Sequence, residues 1–275
     1  MHSESEDPPM SSTTLQARGD RPGTQQHRPV GQTAPPPPAA APPTGIASLS
    51  SLRQLPFFAG VPDEALAALA ARARWQVYAP GEVVVDSGDP TDEVFFVAEG
   101  AVRVVVRTAL GYEAILNDLG AGSFFGELAA IDGVPRSANV TALQRTRVCA
   151  VPGPAFMDAA LASPVAARRL LRLLASRLRA KDERLLEFMA LPVRQRLMAE
   201  LLRLSRDRGG GERALSPPPQ QHVLAARIGT RRETVSREMA EMARSGLLTV
   251  GRRAIVLHRP DALQTEIETR LRGPG

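Results

Sequence analysis

The chain has 275 residues, 43% of them hydrophobic, which allows one or two domains with a sizeable core. It contains no apolar run of about 18 residues and it starts with an acidic, polar stretch, so neither a transmembrane helix nor a signal peptide is predicted. The single Cys149 excludes an intramolecular disulfide and any all-cysteine zinc or iron–sulfur site, and a cytoplasmic protein is expected.

The net charge of +5 is unevenly distributed. Residues 1–45 and 46–191 each carry one more acidic than basic side chain, whereas residues 192–275 carry 16 arginines against 9 acidic residues. A basic excess confined to one region is typical of a module that faces nucleic acid.

Residues 1–45 are rich in Pro, Ser, Thr, Gln and Ala, with four consecutive prolines at 35–38. They contain almost no large apolar residues, so we predict a disordered tail. A Pro-rich recognition tail is the alternative.

Residues 46–160 are predicted to form a β-rich domain. Pro62 opens a helix that extends to about Arg74, with Leu66 and Leu69 on one face. Six short apolar runs follow, separated by glycines, at 82–85, 94–97, 102–106, 114–117, 140–143 and 147–151. Several short strands at this spacing indicate a sandwich or barrel.

One motif in this domain has the parts needed to hold a ribose cyclic phosphate. In Phe125-Gly126-Glu127-Leu128, the glycine allows backbone amides to approach a ligand, and the glutamate can accept from a sugar hydroxyl. Arg136, nine positions after the glutamate, can fork onto a phosphate. Residues 128–131 suggest one helical turn, whose first amides, including those of Leu128 and Ala129, could face an anion.

The run from Phe125 to Val140 resembles the phosphate-binding cassette of cyclic-nucleotide-binding domains. The resemblance implies a β-roll fold and a cyclic nucleotide as effector. The candidate ligand contacts in the cassette are Phe125, Gly126, Glu127, Leu128, Ala129, Arg136 and Ser137. Two alternatives remain: a strand–turn–strand in which Arg136 forms a salt bridge with Glu127, and a domain that has kept the cassette but takes another effector.

Residues 161–191 are predicted to form one long helix, capped by Ser163 with Pro164 at its first position and ended by Leu191-Pro192. A spacing of three and four, typical of a coiled coil, relates Leu171, Leu174, Leu178, Lys181, Leu185 and Phe188. We expect a two-helix dimer interface. The alternative is a helix packed on its own β-roll.

Two residues of this helix bear on the choice of effector. The long helix can be compared without gaps with that of the catabolite activator protein family. In this comparison, Lys181 and Asp182 fall on the Thr-Ser pair that contacts adenine in that family. A carboxylate can accept both N1–H and N2–H₂ of guanine, and an ammonium can donate to its O6. Ser137 could bond the phosphate or a guanine amine. We therefore expect cGMP to be tolerated better than by relatives, with cAMP still slightly favoured. Alternatively, Lys181 and Asp182 fix the register of the dimer.

Residues 192–275 are predicted to form a winged helix-turn-helix module. A helix runs to Arg206, and a loop bounded by Gly209–Gly211 and Pro217–Pro219 follows. Residues 223–228, Gly229 and the next helix then give helix, turn and helix, and Thr230 and Glu233 have capping-box spacing. Residues 248–250 and 254–257 are predicted to form a β-hairpin wing.

The segment from Gly229 to Arg237 is similar to the helix-turn-helix of the catabolite activator protein/fumarate-nitrate regulator (Crp/Fnr) family, from which Arg231 departs. The resemblance places Arg232, Glu233 and Arg237 at base-reading positions, where arginine suits guanine and glutamate suits cytosine. Ser236 shares their face. The remaining candidate DNA contacts, expected at phosphates, are Thr230, Arg231, Arg252 and Arg253. Alternatively, Glu233 and Arg237 form only a local pair on the helix.

The sequence thus predicts an α+β protein: a cyclic-nucleotide-binding β-roll, a long dimerisation helix and a C-terminal winged helix-turn-helix. We expect a homodimeric transcription regulator, with cAMP or cGMP as effector and near-palindromic double-stranded DNA and RNA polymerase as partners. The four histidines are scattered and none lies in residues 46–191, so no catalytic, metal or haem site is expected. The alternatives are a constitutive or other-effector regulator of this family and a regulatory subunit of a kinase or channel.

Overall fold

The computed structural model describes residues 45–108 and 112–272. The helices are α1 (Leu49–Arg53), α2 (Asp63–Ala70), α3 (Glu127–Asp132), α4 (Gly153–Ala162), α5 (Pro164–Ala190), α6 (Val193–Leu204), α7 (Gln221–Ile228), α8 (Arg232–Arg244) and α9 (Pro260–Arg272). The strands of the N-terminal part are β1 (Gly45–Ile46), β2 (Arg74–Tyr78), β3 (Val83–Val85), β4 (Val94–Glu99), β5 (Ala101–Arg107), β6 (Glu113–Gly120), β7 (Phe124–Phe125), β8 (Asn139–Ala142) and β9 (Thr146–Val151). The strands of the C-terminal part are β10 (Arg206–Gly209), β11 (Glu212–Leu215), β12 (Leu248–Val250) and β13 (Ile255–Leu257).

Two antiparallel sheets form the β-roll. One has the order β1-β2-β9-β4-β7 and the other β3-β8-β5-β6. The predicted α+β class is confirmed. The predicted disordered tail lies outside the described residues, except for Gly45, which pairs with Trp75 at the edge of the first sheet.

Alternate residues of β4 point to different cores, because side chains of a strand point to opposite faces. Phe95 and Val97 pack between the two sheets, whereas Phe96 packs under the helices with Phe57 and Phe156. The central strands β4 and β9 are therefore buried on both faces. This explains why these two strands appear in the sequence as apolar runs, whereas β2 does not.

Trp75, on β2, lies at the helix-covered face of this sheet. It is paired in register with Cys149 on β9, and the indole Nε1 donates to Ser51 Oγ at 3.3 Å. The guanidinium carbon of Arg147 lies 4.3 Å from the ring centroid, a cation–π contact. Trp75 and Cys149 are both buried.

The C-terminal part has its own core, built from α6 to α9 and the four-stranded sheet β10-β11-β13-β12. The segment 206–215, predicted as helix end and loop, forms the hairpin β10–β11 instead. Its chain reversal uses Gly209, Gly210 and Gly211, which all have positive φ. Because β11 pairs with β13, this hairpin extends the wing into a larger sheet. The helix α9 was not predicted.

Other boundaries also differ from the prediction. The helix after Pro62 ends at Ala70 because Arg74 already begins β2, and α6 ends at Leu204. The long helix α5 has the predicted start: the hydroxyl of Ser163 accepts from the amide of Ala166 at 3.4 Å.

Candidate effector and DNA-binding sites

The cassette begins where β7 turns into α3. Phe125 pairs with Phe95 across the sheet and their rings stack, with centroids 5.1 Å apart. Gly126 then adopts a left-handed conformation with φ of 86°. A Cβ at this position would lie 2.6 Å from the carbonyl oxygen of Glu93 and 2.7 Å from Nη1 of Arg136. Only glycine fits, both for its φ and for the close approach.

Arg136 is held against this turn and is only 4% exposed. Its Nε donates to Thr91 Oγ1 at 3.1 Å, Nη1 donates to the carbonyl oxygen of Gly126 at 3.1 Å, and Nη2 donates to that of Glu93 at 2.8 Å. A guanidinium has five N–H donors, so these three bonds fix its plane, and two donors form no hydrogen bond to the described residues. Thr91 was not predicted from the sequence.

The charge of Arg136 is partly balanced by surrounding carboxylates. Burial lowers the pKa of its guanidinium, and the nearby carboxylates of Glu93, Asp92, Asp89 and Glu127 oppose that shift. The closest is Glu93, whose Oε2 lies 3.5 Å from Nη2. Arg136 is thus a buried cation in contact with the cassette turn.

Glu127, the first residue of α3, is buried and forms an ion pair with Arg177 of the long helix α5. Arg177 also donates from Nη2 to the carbonyl oxygen of Phe124 at 2.7 Å, and its guanidinium lies 5.7 Å from the ring centroid of Phe124. The alternative pairing of Glu127 with Arg136 is therefore wrong. Arg177 was not predicted from the sequence, because no local pattern distinguishes it from the other arginines of α5.

The remaining predicted ligand contacts occupy three kinds of place. Leu128 and Ser137 are exposed beside the turn, Ala129 is buried in α3, and Lys181 and Asp182 are exposed on α5. No hydrogen bond or ion pair within the described ranges joins Lys181 or Asp182 to the cassette. Their contact with the base of the effector therefore stays a prediction.

An apolar row runs along the open side of α5. Leu171, Leu178 and Leu185 are spaced by seven residues and are 67%, 60% and 58% exposed. Two members of the predicted stripe are instead used within the chain. Leu174 packs against the β-roll core, and Phe188 contacts the C-terminal module, where a Cβ at Gly229 would lie 2.8 Å from its Cε1.

The helix-turn-helix comprises α7 and α8 joined at Gly229, which has φ of 62°. The N-cap of α8 is Arg231, with no side-chain hydrogen bond to the helix, so the predicted capping box from Thr230 is wrong. The helix is positioned instead by apolar packing: Val235, Met239 and Met242 are buried in the module's core.

The opposite face of α8 is open. Arg232, Glu233, Ser236 and Arg237 are exposed, Arg237 with 70% of its side chain. Its nearest carboxylate is that of Glu238, at 3.7 Å. No ion pair between Glu233 and Arg237 occurs in the described part of the chain, so both side chains remain available on one face.

The predicted phosphate contacts lie beside this face. Arg231 is exposed at the start of α8, Thr230 is half-buried in the turn, and Arg252 and Arg253 are exposed at the tip of the β12–β13 wing. The hydroxyl of Ser216 donates to the carbonyl oxygen of Arg253 at 3.1 Å and ties the wing tip to the segment before α7.

The described residues contain neither a metal-binding cluster nor a membrane-spanning helix. No group of three or more His, Cys, Asp and Glu side chains there is arranged to hold a metal ion. None of the described helices is both long and apolar enough to cross a membrane.

The fold and the two sites define a DNA-binding regulator in which a cyclic-nucleotide-binding domain precedes a helix-turn-helix module. Residues 75–163 match the family model of the cyclic nucleotide-binding domain, and residues 195–266 match that of the Crp-like helix-turn-helix domain. The chain belongs to the Crp/Fnr family of transcription regulators.

Individual relatives agree with this assignment. The cyclic AMP receptor protein of Thermus thermophilus is 34% identical over 199 residues, which cover 71% of this chain and 89% of the relative. A CRP-like cAMP-activated global transcriptional regulator of Mycobacterium tuberculosis is 28% identical over 203 residues, 73% of this chain and 91% of the relative. A solved CRP/FNR-family regulator from Thermus thermophilus superposes with a TM-score of 0.58 at 26% identity, covering 71% of this chain and 99% of the other.

Proposed function

We propose that this chain is a homodimeric transcription regulator whose affinity for operator DNA is set by a cyclic nucleotide bound at the cassette. The observation that carries the proposal is the buried guanidinium of Arg136, whose plane is fixed against Gly126. Two of its five N–H donors form no hydrogen bond to the described residues, although Nη2 lies 3.5 Å from the Glu93 carboxylate. A cyclic phosphate is a monoanion that a fixed guanidinium binds through charge-assisted bonds. Ser137 would add a hydroxyl beside it.

Glu127 has a part in the same site. Its carboxylate is positioned by Arg177, so it can accept from a ribose hydroxyl without being free to rotate. Because Arg177 lies on α5, the ribose end of the ligand would be connected directly to the long helix. Phe125, Leu128 and Ala129 shape the turn around this carboxylate.

The dimer is proposed from the apolar row Leu171, Leu178 and Leu185. Three exposed leucines at a spacing of seven on one helix suit a parallel two-helix contact. Two recognition helices would then be paired by a two-fold axis, which requires a near-palindromic operator with half-sites about one helical turn apart.

DNA reading is proposed for the open face of α8. Arg232, Glu233 and Arg237 would read base edges in the major groove, with Ser236 on the same face. Thr230, Arg231, Arg252 and Arg253 would contact phosphates, which positions the module without reading sequence. A regulator of this kind acts at the chromosome in the cytoplasm, where RNA polymerase would be its further partner.

A separate proposal concerns the base of the effector. We propose that cAMP is bound and that cGMP competes better than it does in relatives, because Asp182 can accept two bonds from guanine. Calorimetric titration with cAMP, cGMP and cyclic dinucleotides tests the effector. Competition of cAMP against cGMP on wild type and Asp182→Ala tests the base. An unchanged affinity ratio would show that the carboxylate does not read the base.

A second candidate is a regulator of the same family that is constitutive or responds to another effector. The observation in its favour is that three donors of Arg136 already have partners within the chain. No heat of binding with any cyclic nucleotide, together with unchanged operator affinity, would favour this candidate.

A further inference from the structure

A chain of charged side chains crosses from the β-roll to the helix-turn-helix module. Asp118 on β6 accepts two bonds from Arg103 on β5, at 2.8 and 2.9 Å, and also forms an ion pair with Arg227 on α7. On the other side, Nη1 of Arg227 lies 3.2 Å from Oε1 of Glu200 on α6. Asp118 and Arg227 are 109 positions apart in the sequence, and their contact joins the β-roll to the helix-turn-helix module.

Each charge in this contact has a second partner within its own module. Asp118 keeps Arg103 if the modules separate, and Arg227 keeps Glu200, which is fully buried. Burying an ion without a partner is strongly unfavourable, and opening this one contact leaves neither ion in that state. The contact between Asp118 and Arg227 can therefore break and re-form at low cost.

The closed contact also has a defect. The Nε–H of Arg227 is buried and has no hydrogen-bond partner among the described residues. An unsatisfied buried donor destabilises the arrangement that buries it. Opening would let water reach this donor, which reduces the free-energy difference between the closed and open arrangements.

The anchor of the contact, Arg103, lies in the four-stranded sheet, which also contains β8, the strand that follows the cassette. Arg103 is in register with Asp118 on one side and with Thr141 of β8 on the other. The strand β8 starts at Asn139, three residues after Arg136. A shift of the cassette on ligand binding would reach Asp118 across one intervening strand, without passing through α5.

We propose that Asp118 and Arg227 form a reversible latch that docks the helix-turn-helix module on the β-roll, with Arg103 as its anchor. The latch joins the β-roll directly to α7. It acts beside α5, which is covalently continuous with α6 and also contacts the C-terminal module through Arg184 and Phe188. Opening the latch lets α7, and with it α8, change orientation more freely. Its proposed link to the effector rests on the function proposed above; the docking itself does not.

Asp118→Asn removes the charge and keeps the shape, and Glu113→Gln is the matched control. Glu113 lies on the same strand and is paired with Arg107, within the β-roll. Hydrogen exchange of the full chain without ligand is measured by mass spectrometry. We expect the 221–228 peptide of α7 to exchange about two- to fivefold faster in Asp118→Asn, since a partly exposed pair contributes modestly, and to be unchanged in Glu113→Gln.

Equal exchange of the 221–228 peptide in the two variants would overturn the latch. If Asp118→Asn folds poorly, Asp118→Ser repeats the test with a smaller polar side chain. A second measurement addresses the effector: the ratio of operator affinities with and without cAMP should fall toward one in Asp118→Asn and persist in Glu113→Gln. A wild type that does not respond to cAMP would refute the proposed effector, while the ligand-free exchange would still decide the latch.

Discussion

Nη1 of Arg136 lies 3.1 Å from the carbonyl oxygen of Gly126, and a Cβ at Gly126 would lie 2.7 Å from the same nitrogen. The two residues therefore depend on each other. The glycine leaves the space that the guanidinium occupies, and the guanidinium satisfies the carbonyl that the left-handed turn exposes. The cassette's glycine is thus required by its arginine as well as by its φ.

Gly126→Ala should destabilise the β-roll through two effects, the left-handed backbone and the collision with Arg136 and the Glu93 carbonyl. The first costs about 1–2 kcal/mol, and the second adds to it. Gly133→Ala is the matched control, because Gly133 has φ of 70° with nothing within 4 Å of a Cβ. Urea unfolding measures both variants. Equal losses would show that the close approach at Gly126 has no energetic consequence.

Arg136→Ala should weaken cyclic nucleotide binding by about 1.5–3 kcal/mol, since the phosphate loses a charged hydrogen-bond partner. Arg136→Lys should restore only part of the affinity, because the fork is lost. Isothermal titration calorimetry measures both, with Arg145→Ala, an exposed position of the same domain, as control. Unchanged affinity in Arg136→Ala would refute the cassette as the phosphate site.

Arg237→Ala should cost roughly 1–3 kcal/mol per half-site and relax the preference at one base pair, because we propose that its exposed side chain reads a base. Arg252→Ala should weaken all sequences alike and reduce the slope of log K against log salt concentration by about one. Binding-site selection and salt titration separate the two effects. A uniform loss in Arg237→Ala would mean that this residue contacts phosphate.

Leu178→Glu should convert the proposed dimer to a monomer, because it places a charge in the middle of the proposed helix contact. Leu161→Glu is the control: Leu161 is 70% exposed but lies on α4, outside the apolar row. Analytical ultracentrifugation gives the molecular mass of each variant. Persistence of the dimer in Leu178→Glu would place the dimer contact elsewhere.

Cys149 should resist alkylation in the native protein. Burial raises the pKa of its thiol to about 12, with the charge of Arg147 opposing the shift, whereas the ordinary value is 9.0. Because burial disfavours the thiolate, the free energy of unfolding should fall as the pH rises from about 9, the pKa in the unfolded chain, to about 12, the pKa in the fold. Mass spectrometry after iodoacetamide at pH 8 should show modification only in urea. Rapid native labelling would contradict the burial of this thiol.

The sequence indicated most of what depends on local pattern. The short runs around Val94 and Val102 became strands, the start at Ser163 became the cap of α5, and the turn at Gly229 joined two helices. Each of these depends on neighbouring residues or on a simple repeat. The cassette turn was found because glycine and arginine stand at a fixed spacing.

The features that were not predicted from the sequence depend on long-range contacts. Arg177 and Glu127 are 50 residues apart, and no local signal selects Arg177 from the other arginines of α5. The strands β10 and β11 are short and polar, and they are stabilised by pairing with β13, so their own residues resemble a loop. The predicted capping box at Thr230 does not form, because the start of α8 is fixed by burial of Val235.

Trp75 is the only tryptophan of the chain, and it is buried beside Cys149 in the β-roll. Its fluorescence therefore reports melting of the N-terminal domain alone. Circular dichroism at about 222 nm measures helix content, so it also follows the melting of α6 to α9. Coincident melting curves from the two signals would mean that both domains unfold as one cooperative unit. Separate curves would give each domain its own stability, measurable in a single unlabelled sample.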